Sequence, residues 1–372
     1  MFNRSDLTRD AFQLHGSRAS CGYDWWWHSF SGTAADGEKR AFFIEFFTCN
    51  PALGEQQPVF GQLPENKAKG IRPSYLMVKA GMWGKNAFQL HRFFGWKNIQ
   101  ILYDEGFSIQ AEDCFLNETM TRGAIHITEE EAAAHPEWMC CSGDMEWNLA
   151  IDKQIAFNVG YGASSPLRKA NAFEMFWHAE GMKTLYSGTV VCNGKTWFIE
   201  PDTCWGYADK NWGKDFISPW IWLSSCNLTS MLTGRKLNNS VFDIGGGRPK
   251  IGPLAMEGKL LSAFWYEGQE YEFNFSKLHE MTRTSFRCGE SSDEVYWHID
   301  QSSADGRMIT DVHCPKDEML LINYESPDGE KRHRRLWNGG TGTGEVRLYR
   351  HGKLIDVIRC ENTGCEYGEY GE

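Results

Sequence analysis

The sequence predicts an all-β protein built from two consecutive antiparallel β-barrel or β-sandwich units, with few helices. Three observations lead to this prediction. The 372 residues include 16 Trp, 13 Tyr, 23 Phe and 38 Gly, which is typical of aromatic-rich strands separated by turns. Short alternating or aromatic runs follow one another along the chain, and Gly-containing dipeptides separate many of them. These runs outnumber the strands of one small barrel, so we expect two β units.

Each predicted strand is a run of apolar, aromatic or β-branched residues bounded by turn residues. In chain order the predicted strands cover residues 23–30, 41–48, 74–78, 99–103, 124–128, 146–151, 173–179, 184–191, 195–199, 219–228, 260–266, 269–275, 294–300, 319–324, 345–350 and 353–359. Turns are predicted at Asp36-Gly37, Asn193-Gly194, Glu267-Gly268, Asp305-Gly306, Asp328-Gly329 and His351-Gly352. A helix is predicted over residues 128–134, where a Thr precedes three Glu and three Ala. The order of elements is that of a hairpin meander.

The length suits two domains of roughly 150 residues or more. We predict an N-terminal β domain over residues 1–213, which carries most of the proposed site, and a C-terminal β domain over residues 214–372. The two units are expected to meet between about Asn211 and Phe216. The cluster Gly245-Gly246-Gly247 is followed by no helical pattern, so we interpret it as a loop between strands and not as a phosphate-binding turn.

Charge and hydropathy limit the partners. The 38 Lys and Arg residues against 49 Asp and Glu leave a net charge of −11, which argues against nucleic acid or an anionic membrane surface as a partner. No apolar run approaches the roughly 18 residues of a membrane helix, so we expect no membrane span. Residues 1–22 mix Arg and Asp with apolar residues, unlike a signal peptide, and predict a cytoplasmic protein. The expected partner is a small hydrophobic or phenolic substrate, and a homo-oligomer remains open.

Cysteine and histidine spacings predict neither disulfides nor a metal site. The 12 cysteines contain no C-x-x-C pair, and the 11 histidines show no H-x-H or H-E-x-x-H spacing. A chain of this size does not need disulfides to stabilise its core. We therefore expect reduced thiols, no metal and no cofactor.

The most specific motif lies in the centre of the chain. Residues 206–213 read Gly-Tyr-Ala-Asp-Lys-Asn-Trp-Gly, and Phe216, the Pro-Trp-Ile-Trp-Leu of residues 219–223 and Asn227 follow. This stretch resembles the tocopherol cyclase family signature, and its Asp-x-x-Trp-Gly core is similar to the carotenoid hydratase relatives with paired lipocalin-like domains. Weaker similarity extends in order over residues 23–27, 42–47, 176–188, 264–273 and 364–368. The sequence departs from the cyclases at Asp209, where they usually carry Glu, and from the hydratases at Asn211, where they carry a second acid.

The resemblance implies a two-part lipocalin-like β fold with a hydrophobic cavity and chemistry on an unactivated C=C bond. The first interpretation is that the protein is an isomerase that closes an oxygen ring on a small aromatic or isoprenoid substrate. A hydratase or lyase that adds water to C=C is the nearest alternative, although Asn211 leaves the pair of acids incomplete. The other alternative is a non-catalytic carrier, since a lipocalin-like cavity also suits a lipophilic ligand.

Three residues are the predicted catalytic groups. Asp209 is flanked by aromatic residues whose burial would raise its pKa, which suits an acid that protonates an alkene. Tyr207 is expected to orient this acid or the substrate oxygen. His178 is the predicted base, because alternation along residues 173–179 places Glu174, Phe176 and His178 on one strand face. The alternatives are an Asp209 that pairs with Lys210 or caps a turn, and a His178 on a solvated face.

The predicted substrate-binding residues are mostly aromatic, since indole faces stabilise a carbocation by about 0.5 to 2 kcal/mol each. They are Trp26, His28, Tyr75, Trp212 and Trp222. Alternation puts Trp26 and His28 on one face of their strand and Trp25 and Trp27 on the other. The bland alternative for each tryptophan is that it fills a core.

Overall fold

The structure is a computed structural model that describes residues 10–102, 107–157, 174–248, 250–251, 254–255, 258–277, 281–333 and 335–371. Residues 1–9, which carry part of the signal-peptide prediction, lie outside the described residues. Residue 103, the last of one predicted strand, and residue 173, the first of another, also lie outside the described residues.

The first sheet has twelve strands within the described residues. They are β1 (Tyr23–Ala34), β2 (Lys39–Cys49), β3 (Tyr75–Trp83), β4 (Phe88–Phe94), β5 (Ile99–Leu102), β6 (Ser108–Ala111), β7 (Cys114–Asn117), β8 (Met120–Ile127), β9 (Gly143–Phe157), β10 (Met175–Cys192), β11 (Lys195–Ile199) and β12 (Gly206–Gly213). The hydrogen-bonded order is β4-β3-β2-β1-β11-β10-β9-β8-β7-β6-β5, and β12 pairs with both β1 and β10. Because β4 also contacts β8 and β9, the sheet curls around its own core.

The second sheet has eleven strands in the described part of the chain. They are β13 (Trp220–Ser225), β14 (Asn227–Ser230), β15 (Val241–Gly247), β18 (Lys259–Tyr266), β19 (Gln269–Asn274), β20 (Arg283–Glu290), β21 (Glu294–Ser302), β22 (Gly306–Pro315), β23 (Leu320–Ile322), β25 (Leu336–Arg350) and β26 (Lys353–Gly368). The order is β19-β18-β15-β13-β26-β25-β22-β21-β20, with β14 beside β26 and β23 beside β25. Two small ladders are formed by β16 (Lys250–Ile251) with β17 (Leu254–Ala255), and by β24 (Arg332–His333) with β27 (Tyr370–Gly371).

Two short α-helices are described, α1 (Pro64–Ala68) and α2 (Glu129–Ala134). The predicted helix at 128–134 is confirmed, since the Thr128 side chain accepts from the Glu131 backbone N–H and the Glu131 side chain accepts from the Thr128 N–H. Single 3-10 turns lie at Gly16–Ala19, Pro51–Leu53, Trp96–Asn98, Pro136–Trp138 and Lys316–Glu318. Among the described helices, none has the length and apolar character needed to cross a membrane.

Three apolar cores organise the molecule. The first core lies inside the first sheet and includes Trp26, Phe30, Phe42, Ile44, Phe46 and Trp147. The second core lies inside the second sheet and includes Ile221, Leu223, Phe242, Phe264, Trp297 and Val346. The interface core lies between the sheets and includes Tyr23, Trp25, Trp27, Phe43, Trp177 and Trp222. The first core lies against one face of β1 and the interface core against the other, so the first eight residues of this strand are all buried.

The prediction of two consecutive antiparallel β units is confirmed, because the first sheet ends at Gly213 and the second begins at Trp220. The division into domains 1–213 and 214–372 stays a prediction, since both sheets contribute to the interface core. The loop predicted at Gly245-Gly246-Gly247 is wrong, because these residues end β15. A Cβ on Gly245 would lie 2.5 Å from the Trp177 ring, so the glycine marks a close approach of an indole to the strand.

Candidate active site

A narrow cavity lies in the interface core, where the two sheets face each other. Its lining residues are Trp25, Trp27, Asp209, Trp220, Trp222, Tyr324 and Glu366. All seven side chains are buried. In this conformation they leave about 10 Å³ of free space, close to what one water molecule needs. Binding of an organic molecule here therefore requires the aromatic rings to move apart.

Strand register places an indole beside a carboxyl in each sheet. In the first sheet Trp27 of β1 pairs with Asp209 of β12. In the second sheet Trp222 of β13 pairs with Glu366 of β26. A Cβ on Gly364 would lie 2.3 Å from the Trp222 ring, so a glycine is needed where this indole lies against β26. Two acids from distant parts of the chain thus face one aromatic cavity.

Asp209 is a buried carboxyl whose described hydrogen-bond donors are neutral. Its Oδ2 accepts from Trp177 Nε1 at 2.8 Å and from the Tyr207 hydroxyl at 3.0 Å. Its Oδ1 has no hydrogen-bond partner among the described residues. Burial raises the pKa of Asp209 to about 7, an effect to which the charge of Glu366 adds and which the donors Trp177 and Tyr207 oppose. Near neutral pH this carboxyl therefore keeps its proton in a substantial fraction of molecules.

A second aspartate shares the Tyr207 hydroxyl. This hydroxyl lies 3.0 Å from Asp209 Oδ2 and 3.2 Å from Asp243 Oδ2, and Trp222 Nε1 lies 3.1 Å from Asp243 Oδ1. A tyrosine hydroxyl has one proton, so it donates to one carboxyl and accepts from the other only if that carboxyl is protonated. Burial, with the nearby charge of Asp209, raises the pKa of Asp243 well above its usual value. The two short distances from one hydroxyl therefore favour at least one protonated carboxyl in this triad.

Glu366 is the acid on the second sheet. Trp220 Nε1 donates to its Oε2, and Asn338 Nδ2 donates to its Oε1 at 2.6 Å. Burial raises the pKa of Glu366 to about 7, against the lowering effect of these two donors. Asp209 and Glu366 thus have pKa values in the same range, where one can hold a proton while the other is ionised.

A buried ion pair lies behind Tyr324. Lys79 Nζ is 2.8 Å from Glu45 Oε2, and both side chains are fully buried. The Tyr324 hydroxyl donates to the same Glu45 oxygen at 3.0 Å, and Lys79 Nζ lies 4.2 Å from the centroid of the Tyr324 ring. Burial lowers the pKa of Lys79, although Glu45 opposes this. The pair fixes Tyr324 at the edge of the cavity.

The structure brings together three of the residues predicted from the sequence, Tyr207, Asp209 and Trp222. Tyr75 belongs to the interface core but lies farther along β3, where its ring packs on Phe93 with centroids 5.2 Å apart. The other predicted residues lie on the opposite strand faces: Trp26, His28, His178 and Trp212. Trp26 belongs to the first core, and Trp212 stacks on Phe176 with centroids 5.6 Å apart.

His178 lies apart from the cavity because Trp177, its neighbour on β10, takes the interface face. His178 Nε2 is 3.0 Å from Asp10 Oδ1 inside the first sheet. His28 also points inward, where its Nδ1 lies 2.9 Å from the Tyr186 hydroxyl. Burial lowers the pKa of His28 to about 3, so this imidazole is neutral. Period-two alternation separates both histidines from Asp209.

The inner face of the first sheet carries its own group of charged side chains, which we call the Lys153 cluster: Asp10, Glu118, Lys153, His178 and Glu180. Lys153 Nζ lies 3.5 Å from Asp10 and 2.6 Å from Glu118, and it also contacts Glu180. Carboxylate oxygens of Asp10, Glu118 and Glu180 lie within 4.8 Å of one another, a spacing at which they could hold a metal ion. The Lys153 ammonium already contacts all three carboxyls. Burial alone would lower the pKa of Lys153, but these acids raise it above its usual value.

Several residues that line the cavity or contact its acids were not among the sequence candidates. Trp25, Trp27 and Trp177 alternate with predicted residues, so the period-two pattern contained them, but it did not show which face points to the cavity. Asp243 and Glu366 lie 34 and 157 residues after Asp209, and no local motif links them to it. The glycines at 245 and 364 were the available signal, because each makes room for an indole of this site.

No family model matches the chain, and no curated protein does either. The structure is similar to that of kievitone hydratase from Nectria haematococca, with a TM-score of 0.50 and 12% identity over 95% of this chain and 90% of that chain. An AttH-like protein from Nitrosomonas europaea is matched over 97% of this chain and 96% of that chain, with a TM-score of 0.46 and 12% identity. The similarity to the kievitone hydratase structure confirms the lipocalin-like β fold, whereas membership of the tocopherol cyclase family stays a prediction.

Proposed function

We propose that this protein is a hydratase that adds water across a C=C bond of a small hydrophobic or phenolic substrate by acid–base catalysis. The observation that carries the proposal is the pair Asp209 and Glu366, both with a pKa of about 7, on one aromatic cavity. Two carboxyls with such values divide the roles of acid and base near neutral pH.

Asp209 supplies the proton. Its Oδ1 is unpaired among the described residues, and the carboxyl lines the cavity. In the first step the Asp209 O–H bond breaks and a C–H bond forms at one alkene carbon. Tyr207 holds Oδ2 and links it to Asp243, which has a raised pKa and serves as a second proton store.

The indole rings stabilise the positive charge that develops on the other alkene carbon. Trp25, Trp27, Trp220 and Trp222 line the cavity. A cation over an indole face gains about 0.5 to 2 kcal/mol when water is excluded. Four such rings supply stabilisation without a nucleophilic atom that would trap the cation.

Glu366 completes the addition. A water oxygen forms a C–O bond with the cationic carbon, and the water O–H proton passes to the ionised Glu366. Proton exchange with solvent then returns Asp209 to the acid form and Glu366 to the carboxylate. The free space in the cavity, close to one water molecule, suits this nucleophile. The name of the similar kievitone hydratase describes the same reaction class.

Ring closure is the second candidate, with a hydroxyl of the substrate in place of water. The observation that favours it is the lining: four indoles and one phenol leave few groups to hold a separate water once a substrate is bound. The same two carboxyls would then act as acid and base, and the product would be an isomer of the substrate. Non-catalytic carriage is the outcome if neither product forms.

The test uses the ligand that the purified protein retains, together with prenylated phenols, incubated with the enzyme in ¹⁸O-labelled water. Hydration adds labelled oxygen, whereas ring closure leaves the mass unchanged. We expect Asp209→Asn to reduce turnover by about a hundredfold to ten-thousandfold. The matched control is Asp113→Asn, an exposed aspartate paired with Arg92. Wild-type turnover in Asp209→Asn, or a bound ligand that is never converted by the wild type, would contradict the proposal.

A further inference from the structure

A larger concavity opens at the end of the same sheet face and has no role in the mechanism above. Six of its lining residues carry the argument: Ser31, Lys39, Arg40, Trp83, Lys85 and Lys236. We call it the vestibule. Its volume is about 450 Å³, within the roughly 300–1,000 Å³ of small-molecule sites. The cavity at Asp209 leaves far less space, so of these two spaces the vestibule can hold more of a bound ligand.

The vestibule continues the cavity along the first sheet. Trp27 and Ser31 lie on the same face of β1, four residues apart, which corresponds to about 13 Å along a strand. Trp83 lines the vestibule and Trp27 lines the cavity, and their ring centroids are 6.0 Å apart. The two spaces are therefore separated by this pair of neighbouring indoles.

Trp83 is also connected to the proposed base. Its Nε1 donates to Asn338 Oδ1 at 2.8 Å, and Asn338 Nδ2 donates to Glu366 Oε1 at 2.6 Å. A ligand that moved the Trp83 ring aside would therefore also affect the group that holds Glu366. These hydrogen bonds connect the vestibule to Glu366, and the contact between Trp83 and Trp27 connects it to the cavity.

The vestibule is cationic although the whole chain carries a net charge of −11. Its lining includes Lys39, Arg40, Lys85 and Lys236 against one acid, Glu318. Lys39 and Lys85 are exposed, and within the described ranges neither has an ion pair. These two ammonium groups are the ones available to a ligand.

The other two cations already have partners nearby. Arg40 lies 2.7 Å from Glu38, but its Nε is buried without a hydrogen-bond partner in the described part of the chain. Lys236 Nζ donates to Asn227 Oδ1 at 2.5 Å and lies 3.9 Å from Glu361. When Glu38 and Glu361 are counted together with Glu318, the vestibule has four cations against three acids.

We propose that the vestibule binds the anionic group of an elongated substrate, either a carboxylate or a phosphate, whose C=C end reaches Asp209 past Trp83. This inference rests on the proposed function and adds the substrate class: an elongated amphipathic anion whose charge lies in the vestibule while its double bond reaches Asp209. Lys39 and Lys85 provide the charge, and the indoles of Trp83 and Trp205 provide flat apolar walls.

The test measures binding of three probes with one hydrocarbon chain, farnesyl phosphate, farnesoate and farnesol, by calorimetry. The protein is Asp209→Asn, which binds without converting, so the result does not depend on catalysis. We expect at least one anion to bind about tenfold more tightly than the alcohol, and the preference to weaken as salt rises. The phosphate and carboxylate arms identify which anion is preferred.

The double variant Lys39→Gln/Lys85→Gln, in the same background, should lose the preference and keep farnesol binding. Lys353→Gln, at an exposed hairpin lysine, is the matched control and should keep it. Equal binding of all three probes, no binding of either anion, or a preference that survives the double substitution would overturn the proposal. Hydration by the wild type with no anion preference would overturn only this inference. Anion preference together with a wild type that shows no turnover would instead contradict the proposed function.

Discussion

Buried charged groups lie on both faces of β12, and their partners differ. On the inner face Lys210 contacts Asp24, and nearby the Lys153 ammonium contacts three carboxyls. On the interface face Asp209 accepts from an indole and a phenol, and Glu366 accepts from an indole and an amide. Lys210, Asp24, Asp209 and Glu366 are all buried. Burial raises the pKa of carboxyls in both regions, to about 6 for Asp24 and to about 7 for Asp209 and Glu366. The regions differ in what mainly opposes this rise: the Lys210 ammonium for Asp24, and neutral indole donors for Asp209 and Glu366.

The largest expected effect concerns the Lys153 cluster. Lys153→Met removes the ammonium that contacts three carboxyls and should lower the free energy of unfolding by about 3 to 5 kcal/mol, because these buried acids lose the cation that they share. Urea unfolding measures this. Lys195→Met, at a more exposed lysine, should have a much smaller effect, because solvent screens its ion pair. Equal losses in the two variants would mean that the cluster does not stabilise the fold as described.

The next effect separates the two regions by activity. Glu366→Gln keeps the shape of the side chain but removes the base, and should lower kcat by about a hundredfold or more. His178→Gln, on the opposite face, should change kcat per folded molecule only a few-fold, because this imidazole contacts Asp10. Thermal unfolding of both variants provides the control for stability. A large loss of kcat in His178→Gln with Glu366→Gln unaffected would restore His178 as the base.

The smallest effect is the pH dependence of stability. The folded-state pKa of Asp209 is raised to about 7, so between its ordinary value and 7 the folded state binds more protons than the unfolded state. Stability contributed by this group is therefore lost as pH rises through that range. In Asp209→Asn this loss is absent, so its unfolding free energy should improve relative to wild type by about 2 kcal/mol between about pH 5.5 and 7. Parallel curves for the two proteins would show that Asp209 titrates normally.

The sequence was sufficient for the architecture and for part of the site. Runs and turns predicted the β meander, and Thr128 with Glu131 predicted a helix, because both signals are local. The signature at 206–213 singled out Tyr207 and Asp209, whose side chains are hydrogen-bonded in the structure, and their catalytic role stays a prediction. Period-two alternation showed which tryptophans of β1 share a face. Because both faces of β1 are buried, the alternation could not show which face lines the cavity.

The remaining part depended on contacts between distant strands. Asp243 meets Tyr207 only because β15 of the second sheet packs against β12, and Glu366 reaches the cavity through the register of β13 with β26. Asn211 leaves the Asp-x-x-Trp-Gly motif with one acid, and the structure places the carboxyl of Asp243, from another strand, beside Tyr207. The spacing of residues within one segment of the sequence does not show these contacts between distant strands.

The most direct test of the account is the protonation state of Asp209 itself. Infrared difference spectra between the wild type and Asp209→Asn, recorded from about pH 5 to about pH 9, isolate the C=O stretch of this one protonated carboxyl. The account predicts a band that is present at the acidic end and disappears with a midpoint near the pKa of about 7. A carboxyl that is ionised across the whole range would contradict it, because Asp209 would then have no proton to deliver.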